Sequence, residues 1–275
     1  MTANSSFGDR LTQVTAERGR LCVGIDPHPA LLESWGLPVS AAGLAEFSSI
    51  CVAAFGDTAA VVKPQVALFE EYGARGFAVL EGTLAALSQA GALTVADAKR
   101  GDIGSTMAAY ARAWLSDGSP LACDALTVSP YLGFGSLDPA VELAEDTGRG
   151  LFVLAATSNP EGPSLQLSTT ASGGSVAQSI VDAASQVNAA YEDVGPIGVV
   201  VGATVTEPPV LDNLGGAVLM PGVGAQGAGV EDVDWVAGAA RRYALPNISR
   251  GILKVGPDVS ALREAVEAAS RDYPA

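Results

Sequence analysis

The chain is poor in positive charge, and this shortage excludes several classes of partner. It carries 15 lysines and arginines against 30 aspartates and glutamates, so its net charge is −15 at pH 7. An acidic surface repels the phosphates of nucleic acids and of anionic membranes. We therefore expect neither a nucleic-acid partner nor a membrane partner, and an anionic substrate has to meet a local group of basic side chains.

Histidine, cysteine and long apolar runs are also scarce. The single histidine, His28, lies between prolines, which makes a histidine-based triad or zinc site a poor interpretation. Cys22, Cys51 and Cys123 form no Cys-x-x-Cys pair and are typical of small buried side chains in a reducing compartment. No run approaches about 18 apolar residues, and no basic segment precedes an apolar one at the N-terminus. We expect a cytoplasmic protein.

Apolar sequence, in contrast, is abundant and recurs in a regular pattern. Hydrophobic residues make up 48% of the 275 residues, enough for one large core. Short apolar runs that predict strands alternate with helix-like segments. The predicted strands are 21–25, 59–62, 92–96, 125–128, 151–156, 197–201, 217–220 and 247–249. Eight such units, with no change in composition between the two halves, predict an α/β fold with a single (β/α)₈ TIM barrel over residues 1–275.

The segments between the predicted strands are consistent with this architecture. The predicted helices are 44–55, 77–90, 106–115, 139–145, 176–191 and 259–270. A polar loop rich in serine, threonine and glycine spans about 161–175, a length typical of a mobile lid or a surface insertion. A doubly wound sheet is the alternative fold, because its strands and helices also alternate along the chain. It does not explain why eight units carry polar residues at the same strand end.

Polar side chains follow most of the predicted strands at the same end. In a barrel, the chemistry gathers at the C-terminal ends of the strands. The polar residues at these ends are Asp26, Lys63, Asp97, Lys99, Ser158, Gln226 and Arg250. We take these seven residues as candidates for a functional site.

The third predicted strand runs into residues 97–106, the stretch with the densest charge. Side chains alternate along a strand, so Asp97 and Lys99 point to the same side, about 6.6 Å apart along the chain. A turn at Gly101 can bring Asp102 close to both. The structural alternative is a salt bridge that stabilises the strand end. The crowding of charges after a buried strand favours a functional cluster.

Lys63, after the second predicted strand, extends this cluster. Lysine is rarely fully buried, and the alternative is a side chain whose ammonium reaches solvent. An alternating cluster of Lys63, Asp97, Lys99 and Asp102 would give each lysine a carboxylate that keeps it protonated. We expect such a cluster to titrate as a unit.

A glycine-rich segment, 221–227, follows the seventh predicted strand. Its backbone N–H groups can face an anion, although a tight connection without a ligand is the alternative for the segment alone. Barrels often bind phosphate with the loops after strands seven and eight, and Arg250 follows the eighth. Because the rigid donor fork of arginine suits phosphate, the two features together predict a phosphate site.

The pattern Asp-x-Lys-x-x-Asp-Ile-x-x-Thr follows the third predicted strand, and its members are Asp97, Lys99, Asp102, Ile103 and Thr106. Further positions that match are Asp26, Lys63, the Pro-Gly-Val-Gly-Ala-Gln-Gly segment from Pro221 to Gly227, and Arg250. Together they resemble the orotidine 5′-phosphate decarboxylase family over residues 26–250. The Gly-Ile-Asp-Pro-His-Pro opening and the overall length are similar to the longer bacterial branch of that family.

The resemblance implies decarboxylation of orotidine 5′-monophosphate to UMP and CO₂ in a homodimeric barrel, with no metal and no organic cofactor. It implies that Lys99 is the general acid that protonates pyrimidine C6. Asp97 and Asp102 would flank this lysine, with Asp97 facing the substrate carboxylate. Asp102 and Thr106 are expected to reach into the neighbouring subunit's site.

The resemblance also implies the binding roles. Lys63 and Asp26 are expected to contact the ribose hydroxyls, and Ser158 the pyrimidine edge. Gln226 and Arg250 are expected to hold the phosphate. Ile103 and Pro221 are further substrate-binding positions.

Three other functions remain open for a barrel of this kind. A metal-dependent sugar-phosphate decarboxylase or aldolase of the same superfamily, such as hexulose phosphate synthase, shares the Asp-x-Lys-x-x-Asp element. Such relatives hold magnesium with an acidic residue after the second strand, where this chain has Lys63. A Schiff-base aldolase would use Lys63 or Lys99 as a nucleophile. A non-catalytic nucleotide-binding barrel would keep only the phosphate site.

Overall fold

A computed structural model describes residues 5–224 and 226–275 of the chain. Within these residues, eight parallel strands close into a barrel in chain order, with the last strand paired to the first. The strands are β1 (Cys22–Ile25), β2 (Val61–Pro64), β3 (Leu93–Arg100), β4 (Ala125–Val128), β5 (Gly150–Ala156), β6 (Ile197–Val201), β7 (Val218–Met220) and β8 (Ala244–Ile248). The predicted (β/α)₈ barrel is confirmed.

Helices connect the strands and surround them. They are α1 (Phe7–Arg18), α2 (Pro29–Ser34), α3 (Ala41–Phe55), α4 (Ala67–Glu70), α5 (Gly73–Ala90), α6 (Gly104–Leu115), α7 (Asp138–Thr147), α8 (Gly162–Gln166), α9 (Val176–Asn188), α10 (Val230–Ala237), α11 (Arg250–Leu253) and α12 (Val259–Ser270). Short 3₁₀ helices span Phe134–Leu137 and Gly238–Tyr243. All six predicted helices are present, with ends that differ by a few residues.

Two predicted strand boundaries were wrong by about three or four residues. Strand β8 lies at Ala244–Ile248 rather than 247–249, because its first residues pair with Val218 and Leu219 of β7. Strand β3 continues to Arg100, four residues past its predicted end. The stretch 161–175, predicted as a loop, contains α8 and an antiparallel bridge between Thr169 and Ser175, so part of it has regular secondary structure.

The N-terminal end of the barrel is closed by α1, a helix that is not among the predicted ones. The Phe7 ring lies edge-on to Phe152 of β5, with centroids 6.0 Å apart. Gly150 makes room for this packing, since a Cβ there would lie 2.5 Å from the Phe7 ring. Leu11 and Val14 of the same helix join the apolar cluster inside the barrel. This end of the barrel is therefore a packed core.

A polar anchor also lies at this N-terminal end. The Asp124 carboxylate accepts hydrogen bonds from the Thr94 backbone N–H and the Thr94 hydroxyl, both at 2.8 Å. Arg10 of α1 pairs with the same carboxylate. The Asp124 N–H in turn donates to the Thr94 hydroxyl at 3.0 Å. Because every one of these groups is paired, the anchor stabilises the start of β3 and β4.

Candidate active site

A cavity of about 270 Å³ opens at the C-terminal ends of the strands. Residues from several strand ends and their following loops line it. They include Asp26, Lys63, Gln65, Asp97, Lys99, Thr157, Pro221, Gln226, Asn247, Ser249 and Arg250. This brings together six of the seven predicted strand-end residues, and the seventh, Ser158, contacts one of them.

Asp97 lies at the centre of the site, with four donors around its carboxylate. Its Oδ2 accepts hydrogen bonds from Lys63 Nζ and Gln65 Nε2, each at 3.0 Å. Its Oδ1 accepts from Lys99 Nζ at 2.6 Å and from the Thr127 hydroxyl at 3.0 Å. A carboxylate in this setting is held in one orientation and anchors both ammonium groups.

The two lysines differ in their access to the cavity. The Lys63 side chain is 4% exposed, whereas that of Lys99 is 46% exposed. Lys63 is thus enclosed beside Asp97, and Lys99 extends from the same carboxylate into open space. Both lysines line the cavity, and the Lys99 side chain is the more accessible of the two to a bound ligand.

Burial and charge oppose each other in this cluster. Burial alone lowers the pKa of Lys63, but the charges of Asp97 and Asp26 outweigh it and hold the pKa above its ordinary value. Burial likewise favours the neutral form of Asp97, yet Lys63 and Lys99 bring its pKa well below its ordinary value. Lys63 and Asp97 therefore remain an ion pair throughout the neutral pH range.

Asp26, at the end of β1, has unused hydrogen-bonding capacity. Its Oδ1 is buried and has no hydrogen-bond partner among the described residues. A buried carboxylate oxygen without a donor is unfavourable. Asp26 lines the cavity, so its carboxylate is placed to accept a hydrogen bond from a hydroxyl of a bound ligand.

Asp102 does not join the cluster inside its own chain, which corrects the predicted alternation of four charges. Within the described part of the chain its carboxylate forms no ion pair, and it accepts the N–H of Ile103 at 2.7 Å. The reason is the course of the backbone. Gly101 packs against the Ser129 carbonyl, where a Cβ would lie 2.4 Å away, and the following turn leads outward into α6. Ile103 and Thr106 are also exposed there.

Arg100 belongs to the same charged stretch, but its side chain forms structural contacts and does not line the cavity. Its guanidinium pairs with Glu70 and lies over the rings of Tyr110 and Trp114, 5.7 and 5.6 Å from their centroids. These contacts fix the end of β3 to α4 and α6.

The glycine-rich segment after β7 lies beside the cavity, as predicted. Gly222 and Gly224 have φ angles of 101° and 71°, which other residues rarely adopt. Gln226 turns back over the segment, and its Oε1 accepts a hydrogen bond from the Ser158 hydroxyl at 3.0 Å. Arg250 follows β8 at the start of α11 and lines the same cavity. Donors suited to an anion therefore lie at one side of the cavity.

A second contact orders the loop that carries Ser158. Gln166 of α8 accepts the Thr157 backbone N–H at 2.9 Å and donates to the Thr157 hydroxyl at 2.8 Å. This amide fixes α8 to the end of β5, immediately before Ser158. The position of the Ser158 hydroxyl therefore depends on α8.

Sequence reasoning missed several polar residues of the site. Gln65 is two positions after Lys63, so strand alternation could have placed both on one side. Asn247 and Ser249 lie at the eighth strand, whose bounds were misplaced. The sequence pattern does not single out Thr127, because a threonine within an apolar run is typical of a buried strand.

Among residues 5–224 and 226–275, no group of three or more histidine, cysteine, aspartate or glutamate side chains is placed to hold a metal ion. No helix there has both the length and the apolar character needed to cross a membrane.

A closed parallel barrel with a lysine–carboxylate cluster and a glycine-rich loop at its C-terminal mouth defines a TIM-barrel enzyme. The family model described as "Orotidine 5'-phosphate decarboxylase / HUMPS family" matches residues 19–265. A Corynebacterium efficiens protein named orotidine 5′-phosphate decarboxylase is 60% identical over 272 residues, 98% of this chain and 97% of its own length. A protein of the same name from Corynebacterium glutamicum is 58% identical over 98% of each chain.

Solved structures agree with these relatives. A Streptomyces avermitilis crystal structure described by the same enzyme name has a TM-score of 0.96 and 53% identity, and the match covers 98% of this chain and 95% of the other. This chain belongs to the orotidine 5′-phosphate decarboxylase / HUMPS family.

Proposed function

We propose that the chain converts orotidine 5′-monophosphate to UMP and CO₂ without a metal or an organic cofactor. The observation that carries the proposal is the half-exposed Lys99 side chain, whose ammonium lies 2.6 Å from buried Asp97 in the barrel cavity. The names of the relatives at 58–60% identity support the same substrate.

The chemistry needs a fixed positive charge at the reacting carbon. Loss of CO₂ from C6 leaves carbanion character that the pyrimidine ring cannot readily delocalise. Lys99 would stabilise this charge and then protonate C6 as the general acid. Asp97 would orient Lys99 and face the substrate carboxylate, which adds electrostatic stress to the ground state.

The remaining roles concern the nucleotide. Lys63 and Asp26 would contact the ribose hydroxyls. Ser158 would bind the pyrimidine edge, and Gln226 and Arg250 the phosphate. The expected binding residues Pro221 and Ile103 complete the set. Because the phosphate lies far from the reacting bond, binding it can supply energy that places the carboxylate.

The proposal includes a homodimer with a shared site. Asp102 and Thr106 are not among the residues that line their own cavity, and Ile103 between them is 61% exposed. Tyr131 and Leu132, on the loop after the neighbouring strand β4, are 77% and 54% exposed. A second copy that covers these apolar side chains would receive Asp102 at its own Lys99.

A cytoplasmic location and a single catalytic domain are also part of the proposal. Cys22, Cys51 and Cys123 are buried free thiols, as is usual in a reducing compartment. Burial raises the pKa of each thiol, to about 12 for Cys22 and Cys123. These cysteines are therefore suited to packing rather than to reactivity.

The metal-dependent sugar-phosphate decarboxylase or aldolase is the second candidate, since the matched family description is broader than one activity. The buried Lys63 ammonium next to Asp97 disfavours it, because a positive charge there repels a cation.

The first test follows the absorbance of orotidine 5′-monophosphate with purified protein in EDTA. We expect turnover by the wild type and its loss, by at least about 1,000-fold, in Lys99→Ala, because charge stabilisation and protonation are removed together. Lys254→Ala is the matched control, because Lys254 is the one lysine of this sequence besides Lys63 and Lys99 and is exposed. No turnover by folded wild-type protein would reject the decarboxylase, and EDTA-sensitive activity on sugar phosphates would favour the second candidate.

A further inference from the structure

The backbone of β3 is irregular where it carries the catalytic cluster. Ala96 pairs with Leu126 of β4, and Arg100 pairs with Val128. Three residues of β3 therefore lie opposite a single residue of β4, Thr127. This is a β-bulge, a feature that redirects side chains next to active sites.

The bulge places Lys99 in an unfavourable backbone conformation. Its φ angle is 48°, and it is the one residue other than glycine with a positive φ among the described residues. Such a conformation is strained for a residue with a Cβ and persists only where surrounding contacts hold it. The bulge also interrupts the regular ladder between β3 and β4, so the Lys99 N–H needs another acceptor.

The Thr127 hydroxyl is that acceptor. It accepts the Lys99 N–H at 2.9 Å and donates its own proton to Asp97 Oδ1 at 3.0 Å. Because an N–H can only donate, the direction of both hydrogen bonds is fixed. Thr127 is fully buried, so no bulk water competes for either bond.

We propose that Thr127 is a positioning residue that holds the strained backbone of Lys99 and the carboxylate of Asp97 in the geometry needed for proton delivery. The proposal rests on the proposed decarboxylation. Thr127 acts through its two partners, so its removal should affect the reacting geometry more than the binding of the nucleotide.

Thr127→Val keeps the shape of the side chain and removes the hydroxyl. We expect kcat to fall about 10- to 100-fold, because a small displacement of a catalytic group is enough for such a loss. The affinity for UMP, measured by calorimetry, should change by less than about threefold, since the phosphate and ribose contacts lie elsewhere.

Conservative variants test the hydroxyl itself. Thr127→Ser restores both hydrogen bonds and should bring kcat to within about threefold of the wild type. Thr127→Cys offers only a weak donor and acceptor and should lie between the serine and valine variants. If the valine variant fails to fold, the comparison of kcat between the serine and cysteine variants still tests the role of the hydroxyl.

Thr94 provides a matched control at the other end of the barrel. It is equally buried, accepts a backbone N–H from Asp124 at 3.0 Å and donates to the Asp124 carboxylate at 2.8 Å. Thr94→Val should lower the thermal midpoint, as Thr127→Val does, and leave kcat per folded molecule within about twofold, because no substrate contact depends on it.

The outcomes separate this inference from the proposed function. A Thr127→Val protein with wild-type kcat, or a Thr127→Ser protein no better than the valine or cysteine variant, would overturn the positioning role. Equal losses of kcat in Thr94→Val and Thr127→Val would do the same, since both effects would then be structural. If the folded wild type shows no turnover, the decarboxylation fails first and the positioning role fails with it.

Discussion

At the scale of single residues, both lysines of the site depend on Asp97. We expect Asp97→Asn to reduce turnover by about 100-fold or more, because Lys99 loses the charged oxygen that orients its ammonium. Steady-state kinetics with orotidine 5′-monophosphate measure this. Asp124→Asn is the control, since it removes a buried, paired carboxylate at the opposite end of the barrel and should affect stability alone. Nearly full turnover by folded Asp97→Asn would contradict both the orienting role and the electrostatic stress on the substrate.

The same ion pair predicts how stability depends on pH. The pKa of Asp97 is lowered on folding, so its contribution is complete above its unfolded pKa of about 3.9 and is lost as the pH falls further. The pKa of Lys63 is raised on folding, so its contribution is complete below about pH 10 and is lost as the pH rises through the folded value. The free energy of unfolding of the wild type should exceed that of Asp97→Asn most between these limits.

Urea unfolding of the two proteins from about pH 3 to pH 9 measures this difference. We expect the gap between their free energies of unfolding to narrow below about pH 4, because Asp97 then takes up a proton in the unfolded chain while it stays ionised beside the lysines in the folded protein. A gap that stays constant down to pH 3 would show that the charge of Asp97 does not stabilise the fold.

Strand alternation predicted part of this residue-scale geometry. It placed Asp97 and Lys99 on one side, and their side chains meet at 2.6 Å. It could not predict the bulge, because a bulge is a property of the pairing between two strands, nor the buried hydroxyl of Thr127 that supports it. The prediction for Asp102 was wrong within one chain, because the turn at Gly101 leads away from the cavity.

At the scale of elements, α8 controls the loop that bears Ser158. We expect Gln166→Ala to raise KM about 10-fold with a smaller change in kcat, because the Thr157 backbone and hydroxyl lose their partner and Ser158 loses its fixed position. Gln178→Ala is the control. Its amide accepts the Val210 N–H at 2.7 Å and donates to the Val210 carbonyl at 3.2 Å, away from the cavity. Equal effects of the two variants on KM would contradict a specific role for α8.

Element prediction succeeded where a segment is apolar and failed where it is polar or interrupted. Runs such as β4 and β6 match their predicted bounds, because a buried parallel strand is apolar on both faces. Strand β8 contains Pro246 and Asn247, which interrupt its apolar run, so its first residues were not predicted as part of a strand. Helix α1 has a narrow apolar stripe formed by Phe7, Leu11 and Val14, and only the open end of the barrel explains why these residues are buried.

At the scale of the whole molecule, the two ends of the barrel have different roles. The N-terminal end holds the packed Phe7 and the satisfied Asp124 anchor, whereas the C-terminal end holds strained Lys99 and the unpaired oxygen of Asp26. Stability at one end offsets strain at the other, as expected when a rigid barrel carries a preorganised site. In the proposed dimer, half-buried Asp102 and the exposed Ile103 and Thr106 would complete the site of the second copy.

A shared site predicts complementation between inactive variants. Lys99→Ala and Asp102→Ala homodimers should each be inactive, but a mixed dimer contains one site with both residues intact. Random exchange makes about half of the dimers mixed, so about a quarter of wild-type activity should return. Mixing Lys99→Ala with Asp97→Asn is the control, because both residues come from the same chain and every site stays defective. Activity that fails to return in the first mixture, or an active Asp102→Ala protein, would contradict the shared site.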